Sequence, residues 1–145
     1  MAEAVFQHIV KMNKAEDKFE IDSAGTNPFI DANPYHPLSI KVCENNSIKL
    51  EGMSRTVIAK DLKHFDYIFV MDDSNFAELV SLAMDNGMSG QKKVFYLLDY
   101  HEPAMRSRTI PDPYFGTQSD FERVFALIKN SCENLYNFLT EKKKC

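Results

Sequence analysis

Asp112 lies between two prolines in Ile110-Pro111-Asp112-Pro113-Tyr114-Phe115-Gly116, and two aromatic rings follow it directly. Pro111 has its φ locked, and a residue before proline is pushed out of the helical region, so the Asp112 carboxyl projects from a stiff loop. A general acid acts only while it stays within hydrogen-bond reach of the departing atom, which a stiff loop favours. Tyr114 and Phe115 could form an apolar wall that aligns a planar ring beside that acid. The arrangement therefore fits proton donation to an aromatic leaving group. Taken by itself, Pro-Asp-Pro near a glycine is also a turn signal.

The usual nucleophile and phosphate-cradle patterns are missing. Six places after Cys43 stands Lys49, six after Cys132 stands Phe138, and Cys145 is the last residue, so no cysteine opens a loop that ends in arginine. Gly25, Gly52, Gly87, Gly90 and Gly116 are scattered and form no glycine-rich phosphate loop. His8, His36, His64 and His101 show no ligand spacing, and neither a metal nor a cofactor is expected. Cys43 and Cys132 fall on expected helices and read as small buried hydrophobes.

The elements that must carry Asp112 follow from periodicity. Helices are expected at about 2–12, 37–46, 74–84 and 119–141, and strands at 19–23, 66–71 and 93–98. Tyr67-Ile68-Phe69-Val70-Met71 and Val94-Phe95-Tyr96-Leu97-Leu98 are continuously apolar, as strands buried on both faces of a parallel sheet are. Alternating elements of this kind give an α/β class. The last helix reads as opening on a capping box at Ser119-Asp120-Phe121-Glu122, and carries Phe121, Val124, Phe125, Ile128, Cys132, Leu135, Tyr136 and Leu139 at helical spacing. Residues 26–37, rich in Pro and Asn, read as a loop at the carboxyl end of the first strand, where open α/β sheets bind ligands. The opening helix has no Ser, Thr, Asp or Asn ahead of it, and its free amides would make an anion site.

Composition sets the outer limits. A chain of 145 residues, 44% hydrophobic and 12% aromatic, is enough for one domain with a core, and it holds no run long enough to cross a bilayer. A formal charge of -4 argues against broad binding to nucleic acid or acidic membrane. Three cysteines without paired spacing, and an opening that does not read as a signal peptide, fit a reducing cytoplasm. The oligomeric state is not legible.

Four blocks, in order and spacing, resemble the low-molecular-weight protein tyrosine phosphatases: Met1-Ala2-Glu3-Ala4-Val5-Phe6, Phe19-Glu20-Ile21-Asp22-Ser23-Ala24-Gly25-Thr26, Phe65 to Asn75, and Asp112-Pro113-Tyr114-Phe115-Gly116. The resemblance implies a three-layer α/β/α fold on a four-stranded parallel sheet, with three of its strands in this chain, and a single phosphatase-like domain over 1–145. It implies hydrolysis of phosphotyrosine through a cysteinyl phosphate, on phosphotyrosine proteins or small aryl phosphates, with Asp112 as general acid. Tyr114, Phe115 and Phe29 would line the substrate cleft. Ser23 would hold the phosphate loop in shape, and Asp72 would stand behind that loop.

The same resemblance marks departures. The family's phosphate loop, Cys, five residues, Arg, then Ser or Thr and Pro, directly precedes the Met-Ala-Glu that here opens the chain. The expectation is a domain incomplete at its N-terminus, inactive as it stands, with a natural protein longer by a strand and a loop of about ten to fifteen residues. Gly52 stands where many members carry a histidine that supports the loop, and Phe115 where many carry a second tyrosine. Readings left open beside this one are a catalytically dead binding protein that keeps the aromatic cleft, an arsenate reductase, and a protein-arginine phosphatase of the same superfamily.

Overall fold

A computed structural model describes residues 1–26, 34–88 and 93–143. Helices α1 (Ala2–Met12), α2 (Pro37–Asn45) and α3 (Ala59–His64) precede strand β1 (Ile68–Val70), and α4 (Asp73–Asp85), strand β2 (Val94–Tyr96) and α5 (Gln118–Lys143) follow it. The strands pair in parallel, Ile68 opposite Val94 and Val70 opposite Tyr96. This is the expected mixed α/β architecture around a small parallel sheet.

The core is organised by α5. Its Phe121, Val124, Phe125, Ile128, Cys132, Leu135 and Leu139 are all buried, at the helical spacing read from the sequence. They meet Val5, Phe6 and Val10 of α1, Val42 and Cys43 of α2, and Leu97 and Leu98 beyond β2. A second cluster joins Leu79 and Ala83 of α4 to Val70, Val94 and Tyr96 of the sheet and to Leu62 of α3. Met12, the last residue of α1, is 71% exposed.

Three expectations are corrected. Residues 19–23 belong to no strand, and the described sheet is two-stranded. Strand structure needs a neighbouring backbone to complete a ladder. Across from 18–24 lies a largely apolar cleft of about 370 Å³ that runs to Tyr67–Met71, and just past the segment Gly25 forms an isolated bridge to Thr56. The apolar run 93–98 leaves the sheet at Tyr96, and Leu97–Tyr100 winds into a 3-10 turn that tucks Leu97 and Leu98 under α5. Finally, α5 starts at Gln118 with Thr117, not Ser119, at its head. The Asp120 carboxylate accepts from both the amide of Thr117, at 2.8 Å, and its hydroxyl, at 3.2 Å, which closes the first turn ahead of Ser119. The short helix α3 went unread, since six residues carry too little periodicity to register.

The seating of α5 makes a contrast that unfolding can check. Leu135→Ala opens a cavity in the core and should cost about 2–5 kcal/mol, whereas Phe115→Ala, at a side chain 97% exposed, should stay within about 0.5 kcal/mol. Urea midpoints of the two variants report it.

Candidate active site

The acid loop is fixed at both ends. Before it, the amide of Ile110 donates to the carbonyl of Met71 at 2.7 Å, which pins the loop to the carboxyl end of β1. After it, Gly116 donates back to Pro113 at 2.7 Å and the chain enters α5. A methyl group at Gly116 would lie 2.5 Å from an Asp120 carboxylate oxygen, so only glycine admits the Thr117–Asp120 clasp this close to the turn. Within the loop, Asp112 is exposed, and its Oδ1 accepts from the Tyr114 amide at 3.0 Å. The carboxyl and the first aromatic residue thus share one local hydrogen bond.

Tyr114 is 58% exposed and Phe115 97%. Their rings meet edge to face at 4.9 Å, and Tyr114 also meets the His36 ring at 5.2 Å. Two aromatic surfaces held out to solvent beside a carboxylate suit a planar ligand ring. Phe29, expected on the opposite wall, lies outside the described residues.

Asp72, one residue past the Met71 anchor, is the N-cap of α4 and accepts from the Asn75 amide at 2.7 Å. Asn75 does more than receive this cap. Its side-chain oxygen accepts from the Met71 amide at 3.2 Å and its side-chain nitrogen donates to Thr26 Oγ1 at 3.2 Å. One amide side chain therefore ties the end of β1, the start of α4 and the loop after Gly25. Sequence reading passed over it, although Asp72-Asp73-Ser74-Asn75 at a strand end is an N-cap signal that places position 75 in the first turn.

Ser23 stands across the cleft from β1. Its hydroxyl donates to Glu3 Oε1 at 3.0 Å, linking the segment to the first turn of α1. Burial pushes the Glu3 carboxyl above its ordinary range, with Asp22 adding to the rise against the Ser23 hydrogen bond. Next to it, Arg55 holds both oxygens of Asp61 at 2.9 and 3.1 Å and reaches Asp22 at 3.0 Å. Burial works to raise the Asp61 pKa, but the Arg55 hydrogen bonds, the Ile58 amide and the guanidinium charge outweigh it, and the net displacement is downward. Glu3, Asp22, Ser23, Thr26, Arg55 and Asn75 line the same cleft, together with the rings of Phe6, Tyr67 and Phe69. Glu3 and Arg55 escaped the sequence reading because a lone acid on a helix and a lone arginine in a loop carry no pattern.

The structure thus gathers Ser23 with the cleft, and it places Asp72 one residue past Met71 and Asp112 two past Ile110, the two stretches joined by the Ile110–Met71 hydrogen bond. Tyr114 and Phe115 stand on the acid loop, outside the lining of that cleft. Gly52, at φ +99°, has the ring and hydroxyl of Tyr35 4.0 Å from where its side chain would start, and the Tyr35 hydroxyl points to the Met53 carbonyl at 3.5 Å. Neither described thiol fits a nucleophile. Cys43 is fully buried with its pKa raised by that burial, and in Cys132 burial pushes it up to about 12. Among the described residues no helix is long and apolar enough to cross a membrane.

Comparison with known proteins supplies the context. Residues 1–145 match the family described as low molecular weight phosphotyrosine protein phosphatase. The chain is 35% identical to the low molecular weight protein-tyrosine-phosphatase YfkJ of Bacillus subtilis, over 99% of this chain and 89% of that protein. It resembles the crystal structure of a protein tyrosine phosphatase from Entamoeba histolytica with Hepes in the active site, at a TM-score of 0.88 and 32% identity over 98% of this chain and 88% of that one. A Drosophila arginine phosphatase is similar at a TM-score of 0.86 and 29% identity, over 95% of this chain and 87% of that one.

The Arg55–Asp61 pair carries a pH signature. A carboxyl with a lowered folded-state pKa contributes stability that is present above its unfolded value, about 3.9, and is lost as pH falls through the folded one. Arg55→Met should therefore lower the thermal midpoint at pH 6–7, and the deficit should shrink towards zero near pH 2. An equal deficit at both pH values would show that Arg55 acts through packing alone.

Proposed function

Since the chain belongs to the low molecular weight phosphotyrosine protein phosphatase family, we propose that it serves the hydrolysis of phosphotyrosine through a cysteinyl phosphate, with Asp112 as the proton donor. The observation that supports this most is the acid loop. Its carboxylate is hydrogen-bonded to the Tyr114 amide, beside two exposed rings, on a loop anchored at the carboxyl end of β1.

In the proposed reaction a thiolate attacks phosphorus and the bond from phosphorus to the phenolic oxygen breaks. Asp112 gives its proton to that oxygen as the bond parts. An unperturbed phenol has a pKa near 10, so its unassisted departure at neutral pH is costly, and proton donation by a placed acid is worth roughly 10²–10⁴-fold. In the second half, the Asp112 carboxylate takes a proton from water, whose oxygen attacks the phosphocysteine and frees phosphate and thiolate. Ser23 and Asp72 support the phosphate-binding loop, and Tyr114 and Phe115 line the ring slot.

The thiolate and its arginine partner are not among these 145 residues, since no cysteine is followed six places on by arginine. The chain taken alone is accordingly proposed to be inactive. The proposed setting is a reducing cytoplasm, with phosphotyrosine proteins or small aryl phosphates as substrates. The likeness to an arginine phosphatase makes phosphoarginine the competing substrate, against which the aromatic pair on the acid loop argues.

Two preparations test this. The purified 145-residue chain should not turn over an aryl phosphate above background, and turnover lost on Cys43→Ser or Cys132→Ser would overturn the assignment. With a hydrophobic strand and a Cys, five residues, Arg, Ser, Pro loop joined ahead of Met1, the protein should acquire aryl phosphatase activity and prefer phosphotyrosine to phosphoarginine peptides.

A further inference from the structure

A row of rings leads from the core to the acid loop. Phe121, 2% exposed on the first turns of α5, lies against the His36 ring at 4.6 Å and 33°. His36 in turn meets Tyr114 edge to face at 5.2 Å and 78°, and Tyr114 meets Phe115 at 4.9 Å. Among the described residues, the ring contacts of Tyr114 are with His36 and with Phe115, and Phe115 is 97% exposed. The route from Tyr114 back to the buried core therefore passes through one imidazole.

That imidazole is itself held. His36 is the N-cap of α2, and its Nδ1 accepts from the Leu38 amide at 3.1 Å. Pro37 at the first helical position has no amide hydrogen, so Leu38 offers the first free donor of the helix. With the Nδ1 lone pair engaged, the ring hydrogen sits on Nε2 and the hydrogen bond fixes the ring plane. One side chain thereby joins α2, α5 and the acid loop. A cap alone would be served as well or better by Asn, Asp or Ser, which are the preferred N-cap types. The ring contacts are what those residues would not supply.

We propose that His36 is a positioning residue that seats Tyr114 as a wall of the ring slot, and through the Tyr114 amide steadies the Asp112 carboxyl. The proposal rests on the reading of Tyr114 as substrate wall. Its physical core, the seating of one ring by another, is independent of turnover. Edge-to-face pairs contribute beyond their buried area and restrict ring motion, and the backbone hydrogen bond from Tyr114 to Asp112 carries that restriction two residues back.

Two variants separate the cap from the ring. His36→Asn keeps a cap acceptor and removes the ring, and His36→Phe keeps a ring and removes the acceptor. In aromatic NMR spectra of the 145-residue chain, the Tyr114 ring protons should be displaced by their neighbours. In His36→Asn they should move toward the values of an exposed tyrosine, with a thermal midpoint close to the parent's. In His36→Phe they should stay displaced, while the Leu38 amide exchanges several-fold faster than in the parent. Tyr114 signals unchanged in His36→Asn, or already at exposed values in the parent, would overturn the proposal. Neither readout involves phosphate chemistry, so a failed seating leaves the phosphatase reading standing, and a failed phosphatase reading leaves the seating measurable.

Discussion

The placement of the acid loop depends on how α5 is seated. The loop runs into that helix without a spacer: Gly116 turns the chain, Thr117 and Asp120 close the first turn, and Phe121 enters the core. Fully burying one such side chain contributes about 1.5–3 kcal/mol, whereas an exposed ion pair contributes about 0–1 kcal/mol. The apolar stripe from Phe121 to Leu139, rather than any surface charge, therefore fixes where Asp112 can stand. The amide of Ile110, bonded to Met71, fixes the other end of the same loop against β1.

A second constraint is electrostatic and sits in the cleft beside β1. Arg55 gathers Asp22 and Asp61 while Ser23 reaches Glu3, so the segment 20–24 is held by side chains rather than by a sheet ladder. Side-chain contacts thus hold a segment of mixed polarity in place without a sheet ladder. Asn75 completes the frame by joining Met71, Thr26 and the Asp72 cap through one amide group.

Much of this was legible in the residues. The stripe on α5, the bounds of α1, α2 and α4 to within a residue or two, and the apolar runs that became β1 and β2 follow from period and composition alone. The Pro-Asp-Pro frame read as a stiff loop, and the structure anchors that loop at Ile110 and Gly116. What escaped was pairwise. Nothing in Glu3, Arg55 or Asn75 taken singly announces partners twenty or more positions away, at Ser23, Asp22 and Thr26, and a strand at 19–23 was inferred from composition that has no term for a missing neighbour. The head of α5 slipped by two residues because Thr117-x-x-Asp120 and Ser119-x-x-Glu122 are overlapping cap patterns, and the structure forms the first of them.

The proton donation assigned to Asp112 is the centre of the functional account, and its most direct test is the dependence of rate on the leaving group. In the protein completed with the Cys and Arg loop, kcat/KM would be measured for Asp112→Ala and its parent over aryl phosphates of graded phenol acidity. A proton donor predicts a loss of about 10²–10³ for weakly acidic phenols, and a much smaller loss for strongly acidic ones that leave without help. An equal loss across the series would contradict the account and make Asp112 a structural member of its loop.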